Sequence, residues 1–517
     1  TNRWVGEMYL SWHRGVYTSQ RRAKALMRRA QESLHDVEAM MAKTPESLVP
    51  GDAEMVHECW RQLLFCQFHD VLGGVGIHRV NAEMEQQLEN IIEQTGKITA
   101  RLRHAFYRVN TAAKGMVAYN TLPWTRTEWV MLDGEPRFIS VPADGAANVE
   151  EILQPQDASV KETAEGFVLQ NAFLRVLVDR QGVITSLVDL ENGLPLMHPG
   201  QKMNDWRLYR NVQVVYDAWE LDRGWEEQRL GKMETEVTIA RNTPKCCEVR
   251  IARRFGSSAS VQVMRLYASC RRVEFETEID WHERHRMLKT HFESNILSEE
   301  ALHEIQFGFV ARPAHRSTRF ASDRYEVCNH RYSALCEANR GFAVLNNGSY
   351  GISSNRGELA LTLLRAPVVP DAQNNEGHHC LTYALYPFAT GFAQSGVVKQ
   401  GYALNMPLVL EKGCIPANQV GYTTEDSGVL LETIKPDEEH GGIILRLYNS
   451  QRTSETVTLR LPCAAELEEC GLPEAEGNPV GEGSAFQLTF GPFKVRTFRA
   501  RRKNEGERNH EETDTVL

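Results

Sequence analysis

Apolar residues recur every three or four positions through roughly the first hundred residues and every second position after that, so the chain reads as helices followed by sheet. From Gln20 to Met41, the positions Ala23, Leu26, Met27, Ala30, Leu34, Val37 and Met41 form one stripe on a helix otherwise rich in Arg and Glu, and Thr44-Pro45 ends it. A second helix runs from about Ala53 to Phe68, with Val56, Trp60, Leu63 and Leu64 on one side. A third runs from His78 to about Phe106 through Val80, Met84, Leu88, Ile91, Ile92, Ile98 and Leu102. Three helices with short connections predict a small antiparallel bundle over residues 20–110.

Beyond about Ala112 the period drops to two, as in Met116-Val117-Ala118-Tyr119, in Phe173 to Val178 and in Arg272 to Asp280. Asn120-Thr121-Leu122-Pro123, Asp179-Arg180-Gln181-Gly182, Asn192-Gly193 and Asn346-Asn347-Gly348 supply turns between such runs. Residues 111–502 are therefore expected to form a large antiparallel β-sandwich or several stacked β modules without clear helical interruption, which makes the class α+β. The last residues, 503–517, are charged and nearly free of apolar side chains, and predict a disordered tail.

Composition narrows the partners. At 517 residues the chain exceeds one hydrophobic core, and no apolar run approaches the roughly 18 residues of a membrane span. The net charge of −10, with basic residues dispersed among acids, argues against nucleic acid. The odd set of eleven cysteines fits neither paired zinc knuckles nor the disulfide framework of a small secreted domain, and favours a reducing cytoplasm. The first residue is Thr1 rather than Met, which points to a missing N-terminus.

Several segments carry candidate chemistry. Gln67-Phe68-His69-Asp70 ends the second helix just before Gly73, Gly74 and Gly76. There an imidazole could meet a metal while the carboxylate binds a polar ligand, although a hydrogen-bonded helix-end histidine reads the same way. The glycines follow a helix, not a strand, and so are helix terminators rather than a dinucleotide loop. His282-Glu283-Arg284-His285 lacks the i, i+4 spacing of a zinc-protease helix and reads as structural. Asn374-Asn375-Glu376-Gly377-His378-His379 places polar groups and paired histidines in a loop. Tyr216-Asp217-Ala218-Trp219 mixes an aromatic platform with carboxylate, a lining suited to sugars; a buried Trp beside surface acid is an equal alternative.

Taken in order, these segments resemble glycoside hydrolase family 38, the α-mannosidases, across nearly the whole chain. Trp4-Val5-Gly6-Glu7-Met8-Tyr9-Leu10 and His13-Arg14-Gly15-Val16-Tyr17-Thr18-Ser19 are similar to the stretch leading out of the family's catalytic domain, which would make residues 1–19 the end of that domain. Gln67-Phe68-His69-Asp70 is similar to its histidine-aspartate motif. Tyr119 to Trp124, Asp280 to His285, Glu304 to Gly308, Leu345 to Gly351 and Thr382 to Leu385 are similar to blocks of its C-terminal β domains. The wording is nearer to the cytosolic and bacterial mannosidases than to the Golgi and lysosomal ones.

The resemblance implies a retaining, zinc-dependent hydrolysis of terminal α-mannosides, with zinc held partly by one distant histidine. That histidine maps onto His69, with Asp70 as a sugar-contacting neighbour. By the same matching, Asp217, Trp219, Asn375 and His379 are substrate-positioning candidates, although Asn375 stands near where related sequences carry an acid. None of the seventeen histidines is followed two positions later by Asp, so the family's first zinc motif is absent, and the nucleophile and the acid/base are expected upstream of Thr1. The chain alone is therefore expected to be inactive. Two other functions fit the same residues: a mannosylglycerate or phospho-mannosylglycerate hydrolase, and a non-catalytic carbohydrate-binding scaffold. Homo-oligomerisation is compatible with all three.

Overall fold

The apolar stripes of the first hundred residues close on one another. The structure, a computed structural model, describes residues 7, 12–153, 157–424 and 427–502, so the expected tail at 503–517 and most of residues 1–11 lie outside the described residues. Helices α1 (Arg21–Lys43), α2 (Asp52–Cys66) and α4 (His78–Tyr107) form the bundle, and a one-turn helix, α3 (His69–Leu72), stands between α2 and α4. Ala23, Leu26, Met27, Ala30, Leu34 and Val37 of α1 share one buried cluster with Val56 and Leu63 of α2 and with Leu88 and Ile91 of α4. Burying this stripe, more than helix propensity, is what holds such helices together.

The bundle rests on sheet. The strand Met116–Asn120 pairs on one side with Val409–Lys412 and on the other with Gly145–Asn148, and its Val117 and Tyr119 enter the helical core. Next, a ten-stranded and a nine-stranded antiparallel sheet face each other. Their strands alternate as the sequence does: in Val273–Trp281 the residues Val273, Phe275, Thr277, Ile279 and Trp281 are buried, while the acidic residues between them face outward. Trp206, Leu288 and Phe292 from one sheet and Phe275, Ile279 and Tyr383 from the other form a single core, with the Phe275 and Tyr383 rings stacked at 4.8 Å. Trp206 Nε1 donates to the Tyr383 hydroxyl at 2.9 Å, and that hydroxyl donates to Asn204 Oδ1 at 2.6 Å, so these three polar side chains are paired inside the core, whereas Trp281 Nε1 is buried without a partner.

A six-stranded sheet ends the described chain, and Ala39 and Ala42 of α1 belong to its core. One helix thus serves two hydrophobic centres. The β region does contain a helix that periodicity missed: Val397–Asn405 lays Val397, Val398 and Tyr402 against Ala343, Leu345 and Ala384 on the outer face of the nine-stranded sheet. At nine residues, with Gly401 inside it, its apolar pattern is too short to show a period. Among the described residues, no helix is long and apolar enough to cross a membrane.

Candidate functional site

The chain leaves α2 at Gln67, and Phe68 adopts an extended backbone, which breaks the helix and re-aims the next turn. Val71 and Leu72 donate their N–H groups to the Phe68 carbonyl, both at 2.9 Å, and their side chains pack on the bundle core. His69 and Asp70, on the opposite side of this turn, are left in solvent with side-chain exposures of 81% and 62%, and His69 Nε2 lies 3.6 Å from Asp70 Oδ2. The Phe68 ring packs at 4.4 Å on the imidazole, and Phe65, Phe68 and Ile77 beside it are all more than half exposed.

The turn is held from behind. Gly74, at φ +70°, ends it, and a Cβ there would lie 2.8 Å from the Ser19 carbonyl oxygen, so only glycine lets α3 approach the segment at residues 15–20. Lys24 reaches from α1, buried, and donates to the carbonyls of Leu72, at 3.0 Å, and of Ser19. Burial, reinforced by the charge of Arg365, lowers the Lys24 ammonium to about 7.

Arg365 is the centre of this support. It is fully buried, and its guanidinium donates to Thr18 Oγ1, Ser19 Oγ, Asn211 Oδ1 and the carbonyls of Gly15, Asp217, Ala218 and Glu220 at 2.6–3.2 Å. Burial lowers it to about 10, offset in part by the charges of Asp217, Glu326 and Glu220. Gly15 lies so close that a Cβ would stand 2.5 Å from Arg365 Nη2. The Gly15 N–H donates to the Trp219 carbonyl at 2.8 Å, and Glu220 accepts from the His13 N–H at 2.9 Å. Asp371, 2% exposed, accepts from Gln20 Nε2 at 2.8 Å and from Asn81 Nδ2 at 3.0 Å, with His78 Nδ1 at 3.4 Å.

The other residues singled out in the sequence belong to this junction. Asp217 Oδ2 accepts from the N–H groups of Val368 and Val369 at 2.6 and 3.2 Å, while its Oδ1 is buried without a partner. Trp219 is half-buried against Tyr216, which is 63% exposed. Asn375 is buried: Oδ1 accepts from the Arg21 N–H at 2.7 Å, and Nδ2 donates to the carbonyls of Thr18 and Arg365. His379 is buried as well, and its Nε2 donates to the Asn375 carbonyl at 2.8 Å; burial lowers the imidazole to about 4, so it is neutral at pH 7. His69 and Asp70 are open to solvent, Asn375 and His379 are occupied internally, and Asp217 and Trp219 meet the segment at residues 15–20 through Arg365 and Gly15. Arg365, Lys24 and Asp371 escaped the sequence reading, because a buried Arg or Lys bonded to main-chain carbonyls leaves no side-chain pattern.

A zinc ion in an enzyme takes at least three protein ligands. Among the described residues, no group of three His, Cys, Asp or Glu is placed to hold a metal. His69 and Asp70 alone do not constitute such a site.

Residues 11–105 match the alpha mannosidase middle domain, residues 169–373 the glycosyl hydrolases family 38 C-terminal domain, and residues 428–498 the glycosyl hydrolases family 38 C-terminal beta sandwich domain. The chain belongs to glycosyl hydrolase family 38, of which it carries the middle and C-terminal domains. Alpha-mannosidase 2C1 of Mus musculus is 34% identical over 96% of this chain and 50% of that relative, and the alpha-mannosidase of Saccharomyces cerevisiae is 28% identical over 89% and 43%. The chain therefore spans about half the length of the curated relatives it matches. An alpha-mannosidase from Enterococcus faecalis V583, 13% identical, has the same fold at a TM-score of 0.78 over 95% of this chain and 68% of that one.

Proposed function

We propose that this chain is the part of an α-mannosidase that completes and braces the metal and sugar site, and that the catalytic carboxylates and remaining metal ligands come from protein outside these 517 residues. The observation that carries the reading is the open His69–Asp70 pair on a turn fixed from beneath by Arg365 and Lys24, in a chain of this family. His69 is the chain's metal ligand and Asp70 its sugar-contacting carboxylate; Asp217, Trp219, Asn375 and His379 position them. Zinc, when bound, supplies a Lewis acid that orients sugar hydroxyls in a retaining hydrolysis of terminal α-mannosides. The chain's own residues do three things: they present an imidazole, offer an acceptor to a hydroxyl, and hold the turn still to within hydrogen-bond tolerance. The exposed Phe65, Phe68, Ile77 and Trp12 are covered by the rest of the enzyme. A cytoplasmic setting suits the eleven cysteines, all of them unpaired.

Among hydrolase substrates, a phosphorylated sugar is disfavoured, since Arg365 is sealed behind its carbonyl partners and reaches no ligand. The test is hydrolysis of p-nitrophenyl α-mannoside by the full-length gene product and by the 517-residue chain. Chelator-sensitive turnover by the former and none by the latter is expected. Chelator-sensitive turnover by the shorter chain overturns the division of labour, and an inert full-length protein overturns the activity.

A further inference from the structure

Where α1, the loops of the nine-stranded sheet and the six-stranded C-terminal sheet meet, the molecule contains a cleft of about 730 Å³ whose lining includes neither His69 nor Asp70. That volume lies within the range of small-molecule sites, about 300–1,000 Å³. Two features show a surface prepared for a ligand rather than an imperfectly closed seam.

The first is unused polar capacity at depth. Arg28 is 6% exposed; Nη1 donates to Asn405 Oδ1 at 3.0 Å and the guanidinium lies 4.8 Å from the Tyr350 ring centre, so the group is fixed, yet Nη2 is buried with no partner. One turn further along α1, Glu32 lines the same cleft, and no hydrogen bond to its carboxyl occurs among the described residues. Burial raises that carboxyl to about 7 against the charges of Arg28 and Arg331, so it can both donate and accept near neutrality. A fixed donor beside an unused carboxyl complements vicinal hydroxyls. A buried donor without a partner is unfavourable, and a small shift of the guanidinium toward a bound hydroxyl in the cleft would supply one.

The second feature is braced aromatic surface. The Trp124 ring stands edge-on to Tyr402 at 5.8 Å, and Phe307 edge-on to Tyr448 at 5.6 Å, so both rings keep fixed faces while remaining partly open. Such faces cover the C–H patches of sugar rings. The cleft's other cations already have acidic partners, His35 in Asp36, Arg331 in Glu304, Arg446 in Glu474 and Lys435 in Glu474 and Glu438, which leaves little excess charge for an anion.

We propose that this three-domain cleft is a carbohydrate-binding site for a neutral oligosaccharide, with Arg28 and Glu32 bonding its hydroxyls and Trp124 and Phe307 packing on its rings. It does not depend on the hydrolase reading, and the experiment separates the two. The 517-residue chain is titrated by calorimetry with α-linked mannotriose, with maltotriose and with inorganic phosphate, alongside Glu32→Ala, Trp124→Ala and His69→Ala. Either trimer is expected to bind, weakened about tenfold by each cleft substitution and unchanged in His69→Ala. Thermal midpoints and circular dichroism identify any variant that has lost its fold, and ligand-observed NMR on the unmodified chain, with its aromatic protons saturated and the transfer read on the sugar ring protons, stands in for that variant. No binding of either trimer up to about 10 mM overturns the proposal. So does binding indifferent to both cleft substitutions, binding lost only in His69→Ala, or binding of phosphate alone.

Discussion

Arg365 Nη2 donates to Ser19 Oγ at 2.7 Å, and this bond joins two residues 346 positions apart, one entering the helical bundle and one in the ten-stranded sheet. The bundle and the β region are therefore locked by a buried cation directly behind the turn that carries His69. Electrostatic satisfaction here comes from carbonyl dipoles and hydroxyls, and the nearest carboxylates act only through space.

Replacing Arg365 with Ala strands several buried carbonyls, and Arg365→Lys cannot reach them with one ammonium. Each variant is expected to lose about 3 kcal/mol or more of unfolding free energy. Urea unfolding of the 517-residue chain checks this. A loss below about 1 kcal/mol for Arg365→Ala contradicts the bracing role.

Gly74 and Gly96 make an internal comparison. Gly74→Ala forces a left-handed alanine into the Ser19 carbonyl and Gln20 Cβ, and is expected to cost about 1–3 kcal/mol. Gly96 lies within α4, where an added Cβ meets nothing within 4 Å, so Gly96→Ala is expected to stabilise by up to about 1 kcal/mol. Thermal midpoints that move the same way in both variants refute the comparison.

Stability should depend on pH in a defined way. At His35, burial favours the neutral ring, but Asp36 and Glu432 outweigh it and raise the imidazole to about 9; this contribution is complete below about 6.5 and fades as pH rises to 9. Burial raises Glu32 and Glu38 to about 7, so the folded state holds their protons more tightly and gains stability as pH falls from 7 toward 4.5. His379 and His330, lowered mainly by burial to about 4 and about 3, act oppositely and erode stability as pH falls below about 6.5. Lys24, lowered by burial to about 7, opposes His35 by gaining stability as pH rises from 7 toward 10.5. With both Glu residues on the side of His35, the thermal midpoint is still expected to be higher at pH 6 than at pH 9, and His35→Gln to remove the decline between 7 and 9. A midpoint that climbs steadily from pH 6.5 to 9 contradicts this balance.

The long elements were legible because their burial is periodic. The α1 stripe at Ala23, Leu26, Met27, Ala30, Leu34, Val37 and Met41 is buried at every position, and the strand ending at Trp281 alternates as its sequence does. What sequence could not show is which polar residues turn inward. Asn375 and His379 sit in a segment that reads as a solvated loop, yet Asn375 is sealed by main-chain groups of Arg21 and Thr18, hundreds of residues away, and of Arg365, and His379 is sealed by the Asn375 carbonyl. Spacing alone reads His69 as a helix-end histidine and resemblance to the family as a metal ligand; its exposure was not legible, because the Phe68 break depends on packing of Val71 and Leu72 and on contact between Gly74 and Ser19.

Zinc content of the full-length protein, purified as wild type and as His69→Ala with His282→Ala as a surface-histidine control, tests the central claim most directly. About one zinc per chain in the wild type and the control, falling to well under half in His69→Ala together with mannosidase activity, is the predicted result. Undiminished zinc in a folded His69→Ala protein would show that His69 is not a ligand and that the open turn serves another purpose.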